Sequence, residues 1–298
     1  MATLAPRVVF VVRETDYERL IARHATREQV RFFLKTRGQD LSIIEARHDR
    51  FHARLREVRS ATPTDWRAAL IRRDDLDRFL FAGEDIVIAF GQDGLVANVS
   101  KYLDGQPVLG VNPDPDLYDG ILVPHSPSQV AALLKSIAAN DVRLERRTMV
   151  EAKLDDGQTL SALNEIFVGH RTHQSARYEI AVSGSAEPQS SSGLIVSSGT
   201  GATGWARSIM ESIHAQFTLH PEEEALAYFI REPFPSVATG TSIRAGKVAK
   251  TEPLRITSRM NDGGVIFADG IEQDHLEFGW GRIVDVQVSA RRLNLVAR

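Results

Sequence analysis

The chain has 298 residues, of which 43% are hydrophobic and 25% charged, with a formal net charge of −3 and no cysteine. That length exceeds what one small core organises and predicts two domains or one large one. A charge so near neutral leaves no global basic field for nucleic acid or anionic lipid, and the lack of cysteine excludes disulfides, thiolate metal sites and thiol nucleophiles.

Val8-Val-Phe-Val-Val12 is a short apolar run and predicts a buried first strand. Met1–Arg7 has neither a basic n-region nor a cleavage site, so no signal peptide or presequence is expected, and a cytoplasmic protein is. No apolar run approaches the roughly 18 residues that cross a bilayer, so no membrane partner is expected. A helical stretch follows from about Thr15 to Leu34, and Glu45–Arg59 is arginine-rich and helix-compatible. His48 and His52 would share a face of that helix. Arg47, Arg50, Arg54 and Arg56 surround them, the glutamate of the zinc-helix motif is missing, and no metal site is expected.

Asp85–Phe90 predicts the next strand, then come the loop Gly91-Gln-Asp-Gly94, a helix from Leu95 to about Leu103, and a second apolar run at Pro107–Val111. Alternation of strand and helix predicts a parallel α/β sheet. Pro113, Pro115, Pro124 and Pro127 cluster with Gly120 in an irregular connection, after which Ser128–Ala139 is helical. Beyond residue 150 the texture changes to short strand-like runs: Ala162–Val168, Tyr178–Val182, Leu194–Val196, Leu254–Thr257, Gly264–Phe267 and Ile283–Val288. One helix, around Trp205–Ile213, interrupts them, so the second half is expected to be a separate β-rich domain.

Two glycine-rich loops lie between a strand and a helix, where backbone N–H groups face an anion such as phosphate. In the first, Asp93 would repel that phosphate. It is open whether Asp93 helps hold magnesium, accepts a proton from an attacking hydroxyl, or is part of a plain Asp-Gly turn. The second loop, Ser197–Trp205, formally satisfies G-x-G-x-x-G through Gly199, Gly201 and Gly204. A dinucleotide-binding dehydrogenase would want an acidic residue at a strand end about 20 positions on. The chain has Pro221-Glu-Glu-Glu224 there, a solvated charge run. Thr200, Thr203 and the face of Trp205 suit a polar, planar ligand instead. Asn164 and Glu165 sit inside an apolar run and are costly to bury unsatisfied, so they meet ligand hydroxyls, backbone or solvent. There is no Walker-type G-x-x-x-x-G-K-[ST] and no G-x-S-x-G.

Taken in order, Gly91-Gln-Asp-Gly94, Leu163-Asn-Glu165, Ser197–Trp205 and Ala268-Asp-Gly270 resemble the motifs of the NAD kinase family, within the larger NAD/diacylglycerol kinase group. Gly110-Val-Asn-Pro-Asp-Pro115, Ser191-Ser-Gly193 and Ile230-Arg-Glu-Pro233 are similar to the branch that includes the mitochondrial NAD kinases of animals. The resemblance implies an α/β domain over residues 1–124, to which a last strand near 283–298 returns, and a β-rich dinucleotide-binding domain over residues 125–282. It implies phosphorylation of the adenosine-ribose 2′-hydroxyl of NAD by ATP with magnesium, in a homodimer or homotetramer. Asp93 would be the general base; Gly91, Gln92 and Gly94 would hold the ATP phosphates. Asn164, Glu165, Thr200, Gly201, Thr203, Gly204 and Trp205 would hold NAD. Gln92 replaces a motif glycine, which predicts a side chain where phosphates approach and a backbone angle that glycine tolerates better. A degenerate dinucleotide sensor, or a related kinase acting on another nucleotide or a lipid, are the other readings.

Overall fold

The protein is described by a computed structural model over residues 5–116, 120–214 and 217–298; the expectation for the chain's start therefore falls partly on residues outside this range. The chain forms two compact units, one running to Leu144 and taking in Asn294–Arg298, the other Glu145–Leu293.

In the first unit β1 (Arg7–Val12), β2 (Arg67–Arg72), β3 (Asp85–Phe90) and β4 (Pro107–Val111) pair in the order β2-β1-β3-β4, each pair parallel. Every residue of β3 is buried, as expected of an inner parallel strand. The buried Asp85 carboxylate at its start takes a two-pronged contact from Arg7, at 2.7 and 2.6 Å, and accepts the Ala82 N–H at 2.8 Å. The helices are α1 (Asp16–His24), α2 (Arg27–Lys35), α3 (Leu41–Ser60), α4 (Asp93–Ser100) and α5 (Val130–Ala138). The stretch expected as one helix over Thr15–Leu34 is two, because Ala25 takes φ 65° and Thr26 caps α2, its hydroxyl accepting the Gln29 N–H at 3.2 Å. β2 escaped the sequence reading: it has a partner on one side only and carries arginines at both ends.

The second unit consists of β5 (Leu144–Leu154), β6 (Thr159–Ala162), β7 (Glu165–His170), β8 (Ala176–Val182), β9 (Ser185–Ser191), β10 (Leu194–Ser197), helix α6 (Trp205–Ser212), β11 (Ala225–Ile230), β12 (Ala245–Ala249), β13 (Leu254–Ser258), β14 (Gly264–Ala268), β15 (Ile271–Glu277) and β16 (Ile283–Val296). A six-stranded antiparallel sheet has the order β12-β11-β10-β7-β14-β15, while β16, β13, β8 and β9 follow one another in another sheet and β5 pairs with β6. Side chains alternate across β7: Ile166 and Val168 enter the core shared with β8, β13 and β16, and Phe167 packs with Ala206 and Ile209 of α6 on the other face.

The unit boundary corrects the expected division after residue 124. Helix α5 buries Val130, Leu134 and Ile137 among the strands of the first unit, which carries the boundary on to Leu144. Of the last strand only Asn294 onwards belongs to that unit, where Asn294 and Leu295 pair in parallel with Pro107 and Val108.

Candidate active site

The first group of site residues stands where β3 passes into α4. Gln92 is the residue before the helix, at φ −103° and ψ 166°. That is ordinary extended backbone, so the expectation that this position needs glycine's freedom is corrected. The helix begins at Asp93, two residues before the expected Leu95. Oδ1 of Asp93 accepts the Leu122 N–H at 2.8 Å and Oδ2 the Ile121 N–H at 3.1 Å. An aspartate in a phosphate-type loop thus has a local cause: it is favourable in a helix's first turn and it fixes the segment that crosses β4. That crossing is tight, since a Cβ on Gly110 would stand 1.9 Å from the Leu122 carbonyl oxygen. Gly91, Gln92 and Gly94 line a cavity whose wall includes Phe51, Phe90, Leu95 and Asp114.

The second group forms in the other unit. The expected single run Ala162–Val168 is two strands with Leu163 and Asn164 between them. The Asp269 carboxylate accepts the N–H groups of Leu163 at 3.0 Å, Asn164 at 2.8 Å and Glu165 at 3.4 Å, and the Asp269 N–H donates to the Glu165 carbonyl at 3.0 Å. The Ser197–Gly204 loop closes over the same turn: Ser198 Oγ donates to the Leu163 carbonyl, and the Ser198 N–H to the Asn164 carbonyl at 2.9 Å. Gly201 makes this approach possible, because a Cβ there would lie 2.3 Å from the Asn164 oxygen; one on Gly199 would lie 2.2 Å from the His220 oxygen. Two of the three glycines that mimic a dinucleotide fingerprint thus serve backbone packing.

The structure brings Asn164, Glu165, Thr200 and Gly201 together. Thr200 is buried, and its hydroxyl accepts a long 3.4 Å contact from Arg147. Thr203 is exposed, its hydroxyl donating to the Thr200 carbonyl at 3.0 Å, and Gly204 is exposed beside it. Trp205 turns elsewhere, into a cavity of about 610 Å³ with Phe167, Phe267 and Arg231. Its ring lies nearly parallel to Phe167 at 6.2 Å, with the Arg231 guanidinium 5.3 Å above it.

Glu165 is 9% exposed, and burial, reinforced by the neighbouring Asp269 charge, pushes its carboxyl up to about 7. Asp269 carries the turn yet received no role from sequence, where Ala268-Asp-Gly270 stood only as the last of the ordered motifs; Asp269 takes φ 51°. In the first unit the structure adds Glu18 to the histidine pair: its Oε1 is 3.2 Å from His52 Nε2, and His48 Nδ1 is 2.8 Å from Thr15 Oγ1. Glu18 is also engaged as a helix cap, its Oε2 accepting the Thr15 N–H at 2.8 Å.

No family model matches the chain. It is 24% identical over 217 residues to the NAD kinase of Chlorobaculum tepidum, covering 72% of this chain and 71% of that one. It is 29% identical over 255 residues to human mitochondrial NAD kinase 2, covering 68% of this chain and 58% of the human one. The structure of an NAD kinase from Archaeoglobus fulgidus in complex with ATP superposes with a TM-score of 0.59 at 18% identity, over 98% of this chain and 93% of that one, a likeness of fold. An α/β unit carrying Gly91–Gly94 and a β-rich unit in which the Asn-Glu turn, the glycine loop and Asp269 lock together make a chain similar to NAD kinases in sequence and in fold.

Proposed function

We propose that the protein is an NAD kinase that transfers the γ-phosphoryl group of ATP to the adenosine-ribose 2′-hydroxyl of NAD, giving NADP and ADP. What carries this reading is the Asn164–Glu165 turn, held by Asp269 from one side and by the Ser197–Gly204 loop from the other. It presents a carboxamide and a carboxyl group for which no hydrogen bond among the described residues competes, on a backbone held by hydrogen bonds from both sides. Such groups suit the hydroxyls of a ribose. Thr200, Gly201, Thr203 and Gly204 complete the acceptor side; Trp205, which faces the neighbouring cavity, is left out of it.

Phosphoryl transfer rests on positioning and charge stabilisation more than on covalent chemistry. Gly91, Gln92 and Gly94 hold the donor phosphates. Asp93 acts as general base: each of its oxygens accepts one backbone N–H and keeps lone-pair capacity for the attacking hydroxyl's hydrogen. The fixed carboxylate needs no reorganisation as the proton leaves.

The reading requires magnesium with ATP. Asp114 lines the cavity at Gly91–Gly94, and its pairing with Arg50 is long at 3.4 Å, so its carboxylate fits an ion that takes one or two carboxylates together with phosphate oxygens. When bound, the ion neutralises phosphate charge. Among the described residues no helix is long and apolar enough to cross a membrane; a cytoplasmic homodimer or homotetramer completes the proposal. The test is to incubate the protein with NAD, ATP and magnesium and to detect NADP with an NADP-specific dehydrogenase. Production of NADP is expected, and ATP-independent hydride transfer or no product would refute the reading.

A further inference from the structure

The strand order β2-β1-β3-β4 reverses direction at β1: the chain leaves β1 towards β2 on one side and later resumes at β3 on the other. In open parallel sheets the carboxyl ends of strands at such a reversal form a crevice where ligands bind. Here that end carries Arg13 directly after β1, Arg73 after β2, Gly91 after β3, and Pro113 and Asp114 after β4, all lining one cavity. Arg19 of α1 and Arg47 and Arg50 of α3 line it too, over an apolar floor of Ile44, Phe51, Phe90 and Leu95.

The carboxylates of this cavity leave part of that charge uncompensated. Glu14 pairs with Arg72 at 2.8 Å, Asp16 pairs with Arg19, and Asp114 approaches Arg50 only to 3.4 Å; Arg73 pairs with Asp74 at 3.0 Å. Among the described residues Arg13 and Arg47 have no ion pair. Burial, followed by the charges of Arg73 and Arg19, holds the Arg13 guanidinium below its usual range. Gathering like charges in a crevice opposes folding and is offset when a polyanion enters. Guanidinium groups are suited to that task, since their planar donors match phosphate oxygens.

We propose that Arg13 and Arg47 grip the linear phosphate chain of the phosphoryl donor. The glycine loop is then one wall of the donor site and the arginines after β1 and on α3 the other. This rests on the kinase reading for the identity of the donor as ATP; the shared chemistry is a linear oligophosphate, which inorganic tripolyphosphate also presents.

Both arginines are exposed to solvent, so Arg13→Gln and Arg47→Gln keep the fold, which a thermal unfolding curve verifies. ATP and inorganic tripolyphosphate are each titrated into wild type and variants without NAD, and KM for ATP and for NAD are measured separately. Charge-assisted contacts of this kind predict affinity losses of about tenfold or more for both anions. KM for ATP rises in parallel, KM for NAD stays within about twofold, and Arg13→Lys restores part of the loss. Arg78→Gln, away from the cavity, changes nothing. Unchanged ATP affinity in both variants, or binding of ATP without any binding of tripolyphosphate, overturns the proposal. The kinase reading fails separately: a wild type that binds ATP and makes no NADP sinks that reading, while the titrations still decide the arginines.

Discussion

Asp93 anchors the Ile121 and Leu122 N–H groups, and the proposed reaction gives the same carboxylate a second job as general base; the two can be separated by measurement. Removing a general base costs about 10²–10⁴ in rate, so Asp93→Asn should lower kcat by that order. An asparagine also turns an NH₂ group towards one of the N–H donors of Ile121 and Leu122, which should reduce stability by about 1–3 kcal/mol. Urea unfolding and steady-state kinetics at a temperature where the variant is folded report the two losses independently; undiminished kcat would remove Asp93 from the chemistry. Glu165 offers a second reading by pH. Its carboxyl titrates near 7 in the folded protein against an ordinary 4.5, so the folded state holds its proton longer than the unfolded one. Stability from this group is therefore complete below about 4.5 and declines as pH rises to about 7, a loss of about 3 kcal/mol at most. Without NAD, Glu165→Gln should match wild type at pH 4 and exceed it at pH 8, while binding NAD more weakly. Equal stabilities at pH 8 would show that the carboxyl titrates normally.

The elements that sequence made legible are those with an unbroken apolar run: β1, β3, β4 and β10 stand close to where their residues placed them. Those it missed have physical reasons of their own. β2 carries arginines at both ends, β5 interleaves arginines and glutamates with apolar residues, and β16 runs eight residues beyond its apolar start through Ser289, Ala290, Arg291 and Arg292 before Leu293 returns to the core. The glycine loop after β10 shows the same limit within the site. Its spacing imitates a dinucleotide fingerprint, but the cause of Gly201 is the Asn164 carbonyl, which approaches it from a part of the chain 37 residues earlier and is invisible in a linear pattern. Gly201→Ala should therefore act through the turn and not through a phosphate: NAD affinity should fall at least tenfold and stability by about 1–3 kcal/mol, with ATP affinity unchanged. Isothermal titration with each nucleotide separates the cases, and loss of ATP affinity alone would assign the loop to the donor.

At the scale of the molecule, the order of the motifs carried more than any one of them. Gly91–Gly94, Asn164–Glu165, Ser197–Trp205 and Asp269 are spread over 179 residues (269 minus 91, plus one), and the fold gathers the last three into one hydrogen-bonded unit. The division into an α/β and a β-rich half was visible from texture. Its boundary was not, because an amphipathic helix such as α5 declares that it has a buried face without saying which core receives it. Arg13 and Arg47 were equally silent: they belong to a general excess of arginine, and only the strand order brings them to the same crevice as Gly91. The central claim, that these parts make NADP, is tested most directly by incubating the protein with NAD, magnesium and ATP labelled in its γ-phosphate. The account predicts that the label appears on the 2′-position of the adenosine ribose, in a product that an NADP-specific dehydrogenase reduces. Label released only as inorganic phosphate, or left in ATP while NAD is unchanged, would contradict it.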